Sequence, residues 1–466
     1  MLKRIWLVEP PAPDLHVFSH SDLPRLGLPI LGTILKQNGY DVTIFTPRSG
    51  PVDPLELAQG DLVGISITTS TAPHGYELAD RIRRLSEKNG TRVPIVFGGV
   101  HATFMPEEAL RHGDFVLRKE AEESFPKLLA ALAGECPLPD VPGLSYREDR
   151  NIRHNQEGPP IWDLDGLPIP DLSLIRGYKP KVSPVLTSRG CPHNCTFCCV
   201  TRMMGRHYRF AGTEHVLSEL RQLPTRNVFF YDDNFAADRR RTKELLHAMI
   251  GEKLGLEWGA QVRPDLADDE ELLVLMREAG CNILYIGFES ANQKTLEELN
   301  KNLSIEGVKR NIGAMKKHGF HIHGMFIFGA DNDRHETIRG TVRFARRTGI
   351  DTVQFMLLTP LPGTPLYASL QSAGRLLTDD WSLYDGANVV FKPAGMTAYE
   401  LQKLTRWALR KFYSWPHLIQ LACGREWQKA GAAIYARHIL RRWYGRHRRE
   451  IRQLRLIGAY IPGSDG

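Results

Sequence analysis

Apolar and polar positions alternate along the first 135 residues with two different periods. Residues 5–8, 41–45, 62–67, 94–97 and 114–117 form short apolar runs that read as strands. Between them, residues 29–37, 76–87 and 121–132 repeat apolar side chains at helical spacing, the first run ending at Asn38-Gly39. Strands alternating with helices imply βαβ units and a doubly wound parallel sheet. Such a sheet binds ligands at the carboxyl ends of its strands. Here those ends are residues 9–13, 68–74 and 98–103, and no GxGxxG run follows the first strand to suggest a nicotinamide site.

Residues 136–182 are rich in proline and aspartate, as in Trp162-Asp-Leu-Asp-Gly-Leu-Pro-Ile-Pro170, and read as an extended linker. From 183 the alternation resumes, with strands predicted at 184–187, 227–231, 257–261, 283–286, 323–328 and 352–357. Six βα repeats are too few for a closed eight-stranded barrel and predict a partial (β/α)6 barrel, with chemistry at the carboxyl ends of its strands. Beyond Trp381-Ser-Leu-Tyr-Asp385 the pattern is helical, from about 398 to 413 and again from 418. The expected division is 1–135, a linker at 136–182, a barrel at 183–395 and a helical region at 396–466.

A chain of 466 residues with 42% hydrophobic and 24% charged content fits a globular protein of two or three domains. No run reaches 18 apolar residues, and the start reads as a strand and not a signal peptide, so the cytoplasm is the expected compartment. The net charge of +7 is concentrated: residues 425–455 hold ten Lys/Arg against two Glu, or +8, leaving 50 basic against 51 acidic elsewhere. With Trp427, Tyr435, Trp443 and Tyr444 in or beside it, this basic stretch reads first as a solvated helix packing its apolar stripe on the barrel. A peripheral element at the inner membrane face and a site for another polyanion are the rival readings.

The chemistry concentrates in Cys191-Pro-His-Asn-Cys195-Thr-Phe-Cys198. Three thiolates at this spacing can hold three irons of a 4Fe–4S cube and leave the fourth iron open. A structural zinc site completed by His193 or His207 is the alternative. Cys199 lies outside the spacing, and Cys136, Cys281 and Cys423 are isolated, as small buried hydrophobes usually are. Five further strand ends carry polar or conformationally special groups: Tyr231-Asp232-Asp233-Asn234, Gln261-Val-Arg263, Gly287-Phe-Glu289-Ser290, Gly324-Met-Phe-Ile-Phe-Gly329 and the proline-stiffened run 359–367. The carboxylates at 232 and 233 suit an amino group or a substrate, with helix capping as the bland reading. Arg263 suits a carboxylate, whose two oxygens its fork can grip.

In this order, the elements resemble the cobalamin-binding radical S-adenosylmethionine (SAM) enzymes over about residues 1–410, including Phe197 between the last two cysteines. The resemblance implies a 4Fe–4S cluster on Cys191, Cys195 and Cys198, SAM on the open iron, and ribose hydroxyls on Glu289 and Ser290. It also implies a corrin lying on small residues at Ser66, Thr68, Gly98 and Gly99, after Leu26-Gly-Leu-Pro29, and above the barrel mouth. Two departures stand out. The DxHxxG histidine for cobalt is missing, and Arg118-Lys-Glu-Ala-Glu122 replaces a glycine-containing RGEGE-like run. His74 and His101 sit near the same strand exits, where a lone loop histidine is more often a packing or solvated residue. The implied activity is methylation of an unactivated carbon on a small-molecule or lipid-like substrate, using a reducing partner such as flavodoxin or ferredoxin. A cyclase or oxidoreductase without methyl transfer is the alternative, an iron–sulfur electron carrier a more distant one, and no nucleic acid is expected.

Overall fold

The computed structural model describes residues 2–12, 23–47 and 49–416, with scattered positions beyond. The chain divides into two compact units, one built mainly from Asp22–Gly190 and Cys199–Pro224, the other from Cys191–Cys198 and Thr225 onward. The cysteine loop thus belongs to the second unit, while the residues flanking it belong to the first.

The strands of the first unit are β1 (Arg4–Val8), β2 (Asp41–Phe45), β3 (Leu62–Ser66), β4 (Ile95–Gly98) and β5 (Phe115–Leu117), followed by β6 (Leu144–Glu148) and β7 (Asn151–His154). Their spatial order is β2-β1-β3-β4-β5-β6-β7. The first five strands are parallel, with Ile5 opposite both Val42 and Leu62, so the chain reverses direction across the sheet at β1 and β3. Apolar side chains leave both faces. Val8, Ile65, Ile95 and Phe97 pack against the helix Ala72–Lys88 on one side, while Ile5, Leu7, Val96 and Leu117 meet the helices Gly27–Gln37 and Ser124–Leu132 on the other. Runs buried on both faces are what the near-continuous apolar strands encode.

Within the stretch expected as a linker, β6 and β7 form a hairpin that extends this sheet, β6 running antiparallel to β5 with Leu144 opposite Leu117. Leu144 and Tyr146 are buried, and Asp149 turns the hairpin in a left-handed conformation (φ +54°). The surrounding prolines hid this pattern. After β8 (Ser183–Val185), the two-residue strands β9 (Ser188–Arg189) and β10 (Arg209–Phe210) pair antiparallel, Arg189 opposite Arg209.

In the second unit, β11 (Asn227–Phe230), β12 (Glu257–Val262), β13 (Cys281–Glu289), β14 (His321–Phe328) and β15 (Thr352–Leu357) lie side by side in chain order, each parallel to the next. A helix follows each of the first four. The helix Ala398–Phe412 begins at a capping box between Thr397 and Glu400. The following Tyr413 binds the backbone N–H and C=O of Val353 through its hydroxyl. The basic segment 425–455 and Cys423 lie, apart from isolated positions, outside the described residues. No described helix is long and apolar enough to cross a membrane.

Candidate active site

The backbone of the cysteine loop is pinned to the turn after the helix Gln293–Glu298 and to the start of the helix Pro365–Ser372. Thr196 N–H donates to Leu299 C=O at 3.3 Å, Leu366 N–H donates to Thr196 C=O at 3.2 Å, and Asn300 Nδ2 donates to Asn194 C=O at 2.8 Å. Cys195 is buried, while Cys191, Phe197 and Cys198 are half-buried. Burial pushes the Cys191 and Cys195 thiols up. Against it work Arg263 near both and Lys301 near Cys195, and with it Asp233 near Cys191 and Glu289 near Cys195. A metal would remove these protons outright. Three sulfur donors in one loop beside two cations fit an anionic iron–sulfur group. Among the described residues, no three His, Cys, Asp or Glu side chains stand ready to share a single ion. Burial and the nearby Arg263 hold the His193 imidazole below its usual range. Cys199 precedes the short helix Val200–Met203, and its carbonyl accepts from Arg202 and Met203.

The end of β13 is the most constrained part of the site. A register shift between Gly287 and Glu289 lifts the strand, and Glu289 takes a left-handed backbone (φ +62°), a conformation non-glycine residues seldom adopt. Its carboxylate accepts from Lys301 Nζ at 2.6 Å, with both side chains under a tenth exposed. A Cβ on Gly287 would stand 2.5 Å from Glu289 Oε1 and 3.1 Å from Lys301 Nζ, so only glycine leaves room for the pair. Ser290 is buried, and its Oγ accepts from Asn292 N–H at 3.1 Å, which leaves its own O–H to donate.

At the end of β12, Arg263 Nη2 donates to Lys301 C=O at 3.1 Å and Nε to Asp265 at 3.3 Å. Arginine, lysine and glutamate therefore form one connected group. Beyond β11 the two aspartates part: Asp232 is fully buried, whereas Asp233 reaches solvent near Cys191. Desolvation there, and then the Asp232 charge, push the Asp233 carboxyl up to about 7. At the end of β14, Gly329 (φ +116°) is fastened by Asp333, which accepts from Gly329 N–H, Ala330 N–H and Thr295 Oγ1. Lys301 and Asp333 were not singled out in the sequence. Each lies past its strand in a polar turn where nothing distinguishes a functional charge from a solvated one.

The first unit holds a cavity of about 330 Å³ at the carboxyl ends of its strands, lined by Ser66, Thr68, Gly98 and Gly99 among mostly apolar neighbours. Gly98 has an extended backbone, and a Cβ there would meet only Leu117 C=O at 3.7 Å. Gly99 differs: its φ is +89°, and a Cβ would lie 2.6 Å from Ile67 C=O. Thr68 spends its hydroxyl on Thr71 in a turn that starts the next helix. A mostly apolar slot floored by small residues fits a flat macrocycle. The Arg118–Glu122 run borders it. Lys119 adopts a left-handed backbone (φ +61°), its N–H held by Thr103 Oγ1 at 2.9 Å, so lysine occupies a conformation that glycine takes more easily. His101 is buried away from solvent between Thr69 and Glu108, and His74 Nδ1 lies 3.2 Å from Pro11 C=O.

Residues 185–360 match the Radical SAM superfamily, and residues 17–129 match the B12 binding domain. An uncharacterized methyltransferase of Pyrococcus horikoshii is 32% identical over 414 residues, covering 85% of this chain and 89% of the relative. The bacteriochlorophyllide d C-12(1)-methyltransferase of Chlorobaculum tepidum is 28% identical over 84% of this chain and 83% of its own. Among solved structures, the cobalamin-dependent SAM radical enzyme OxsB aligns with a TM-score of 0.72 at 17% identity, over 96% of this chain and 75% of that one. The methyltransferase TsrM from Kitasatospora setae, with cobalamin and a 4Fe–4S cluster bound, gives 0.67 at 18% identity, over 81% and 76%. At these identities the structures speak for the fold. Three thiols beside a cationic group, and a mostly apolar cavity at the ends of a doubly wound sheet, agree with what the sequences say: the chain belongs to the B12-binding-domain radical SAM enzymes, users of a 4Fe–4S cluster, SAM and cobalamin, and groups with their C-methyltransferases.

Proposed function

We propose that the chain methylates an unactivated carbon of a small-molecule or lipid-like substrate. The observation that carries this reading is the gathering of Cys191, Cys195, Arg263, Glu289 and Lys301 at the ends of adjacent strands. When bound, the cofactors supply one-electron cleavage of SAM to a carbon radical and a transferable methyl group. The chain supplies position. Cys191, Cys195 and Cys198 anchor the cluster and leave one iron open. Arg263, with its Nη1 uncommitted among the described residues, takes the carboxylate of SAM, and Asp233 takes the amino group. Glu289 and Ser290 face the ribose hydroxyls, and Lys301 fixes the Glu289 carboxylate in place. The mostly apolar cavity of the first unit takes the corrin. A small flavin or iron–sulfur protein supplies electrons.

Among relatives, a bacteriochlorophyllide methyltransferase and the hopanoid C-3 methylase of Methylococcus capsulatus are named for large apolar ring compounds. A substrate of that kind fits a chain whose basic C-terminal stretch is suited to a lipid surface. The test is anaerobic turnover with SAM bearing a deuterated methyl group, offered tetrapyrroles and polycyclic lipids. Product carrying the intact labelled methyl, formed together with 5′-deoxyadenosine, is expected. Deoxyadenosine with an unlabelled, cyclised or oxidised product would replace methylation by the non-methylating reading.

A further inference from the structure

Four charged side chains of the first unit form one buried network. Arg189 Nη1 donates to Glu120 Oε1 at 2.7 Å, and Nη2 donates to Glu122 Oε1 at 2.6 Å. Arg209 Nη1 spans both oxygens of Glu120 at 2.9 and 3.0 Å, while its Nη2 donates to Met204 C=O at 2.9 Å. No side chain of the four is more than 9% exposed. Burial opposes the charge on Arg189, but Glu122 and Glu120 outweigh it and keep the guanidinium protonated. Buried ionic groups of this kind seldom outperform apolar packing for stability, so a role in fixing one arrangement deserves a test.

Both ends of the network meet functional elements. Glu120, Glu122 and Arg189 line the cavity that takes the corrin, together with Met203 and Met204. Arg189 stands two residues before Cys191, and the intervening Gly190 has a φ of +83° with His207 C=O where a Cβ would stand, so only glycine fits there. Along the chain, this one glycine alone separates the arginine of the network from the first cysteine.

We propose that this network couples corrin occupancy to the cluster loop, with Glu120 and Glu122 acting through Arg189 as positioning residues for Cys191. The proposal rests on the reading of the cavity as the corrin site. A corrin packed against residues 119–122 confines the two carboxylates, which fix Arg189 in one setting and Cys191 with it. Linkage makes the effect reciprocal, so an assembled cluster tightens corrin binding by the same factor.

The test uses the full chain under anaerobic conditions, with and without reconstituted cluster. Hydroxocobalamin affinity is read by equilibrium dialysis, and the reduced cluster by its EPR spectrum. The wild type is expected to bind cobalamin about 5-fold or more tightly when the cluster is present, and its EPR signal should change on cobalamin addition. Glu122→Gln keeps the shape and removes a charge, and Arg189→Lys keeps the charge and loses the fork. Both line the cavity, so their absolute cobalamin affinity is not the readout; the ratio of affinities with and without cluster should fall to about 1 and the EPR change should be lost. If Glu122→Gln fails to fold, Arg189→Lys alone decides. Equal cobalamin affinity with and without cluster in the wild type, or a ratio unchanged in the variants, overturns the coupling. Failure of the wild type to take up cobalamin at any cluster content overturns the corrin reading, and the coupling with it.

Discussion

Lys301 Nζ lies 2.6 Å from Glu289 Oε1, and neither side chain is more than 9% exposed. The pair is separated by 12 residues, yet it is enforced locally: a bulge at the end of β13 turns Glu289 into a left-handed backbone, and Gly287 leaves the space the two head groups fill. Because Lys301 C=O also accepts from Arg263, the pair joins the carboxylate proposed for the SAM ribose to the arginine proposed for the SAM carboxylate. Gly287→Ala should therefore displace the pair and leave the cluster ligands alone. The expected loss is about 1–3 kcal/mol in SAM binding, roughly 5- to 150-fold, the cost of leaving a buried polar partner unpaired. Anaerobic equilibrium dialysis with SAM, alongside iron analysis, checks it. Unchanged SAM affinity would detach this corner from the cofactor.

Replacement of Cys191, Cys195 or Cys198 by alanine should abolish the cluster, whereas Cys199→Ala should retain iron and sulfide near wild-type content. Cys199 serves the short helix after the loop through its carbonyl, which alanine supplies equally well. Iron retained by Cys195→Ala after anaerobic reconstitution would refute the ligand assignment.

Gly98 and Gly99 are neighbours with opposite prospects. A side chain at 98 meets little of the protein itself and stands at the cavity wall, so Gly98→Val should fold normally and lose cobalamin binding. Alanine at 99 strikes the Ile67 backbone and requires a positive φ, so Gly99→Ala should lower the melting temperature whatever the cavity holds. Cobalamin uptake by a well-folded Gly98→Val protein would place the corrin elsewhere.

Much of this was legible in the sequence. Every strand expected from apolar runs is present with its ends within about three residues, because buried parallel strands leave a near-continuous apolar signature. The cysteine spacing and the polar strand ends were equally plain. What was hidden depends on facing and not on composition. Adjacent aspartates at 232 and 233 look equivalent in a sequence, yet consecutive residues leaving a strand point opposite ways, one into the core and one toward the cysteine loop. Lys301 gives no local signal, since its meaning comes from a carboxylate brought to it by a bulge. The hairpin at 144–154 was masked by the prolines around it.

The Arg118–Glu122 departure yields a stability prediction. Lys119 pays for its left-handed backbone, and Lys119→Gly removes that strain while freeing the unfolded chain and dissolving an exposed ion pair with Glu157. The terms oppose one another, so the change should stay within about 1 kcal/mol. Lys119→Val puts a β-branched side chain at positive φ and should cost about 1–3 kcal/mol. Urea denaturation of the two variants decides, and equal stability would show that the backbone at 119 relaxes freely.

The last prediction concerns pH and His323 on β14. The imidazole is buried beside Tyr285, with Thr352 Oγ1 2.8 Å from Nδ1, and burial first, then His321, lower its pKa to about 4. An unfolded histidine titrates near 6.5, so between about pH 6.5 and 4 the unfolded chain binds a proton that the folded one refuses. With more protons on the unfolded state, stability rises with pH across this window and falls as the solution is acidified. The difference of about 2.5 pH units corresponds to roughly 3 kcal/mol, present in full above pH 6.5 and lost as pH approaches 4. His323→Gln cannot titrate and should flatten this part of the stability profile. Denaturant midpoints measured at pH 7, 6 and 5 for both proteins provide the test. An equally steep acid loss in the variant would assign the dependence to groups other than His323; Asp233 is not one of them, because its raised carboxyl acts with the opposite sign, its contribution being lost as pH rises through about 7.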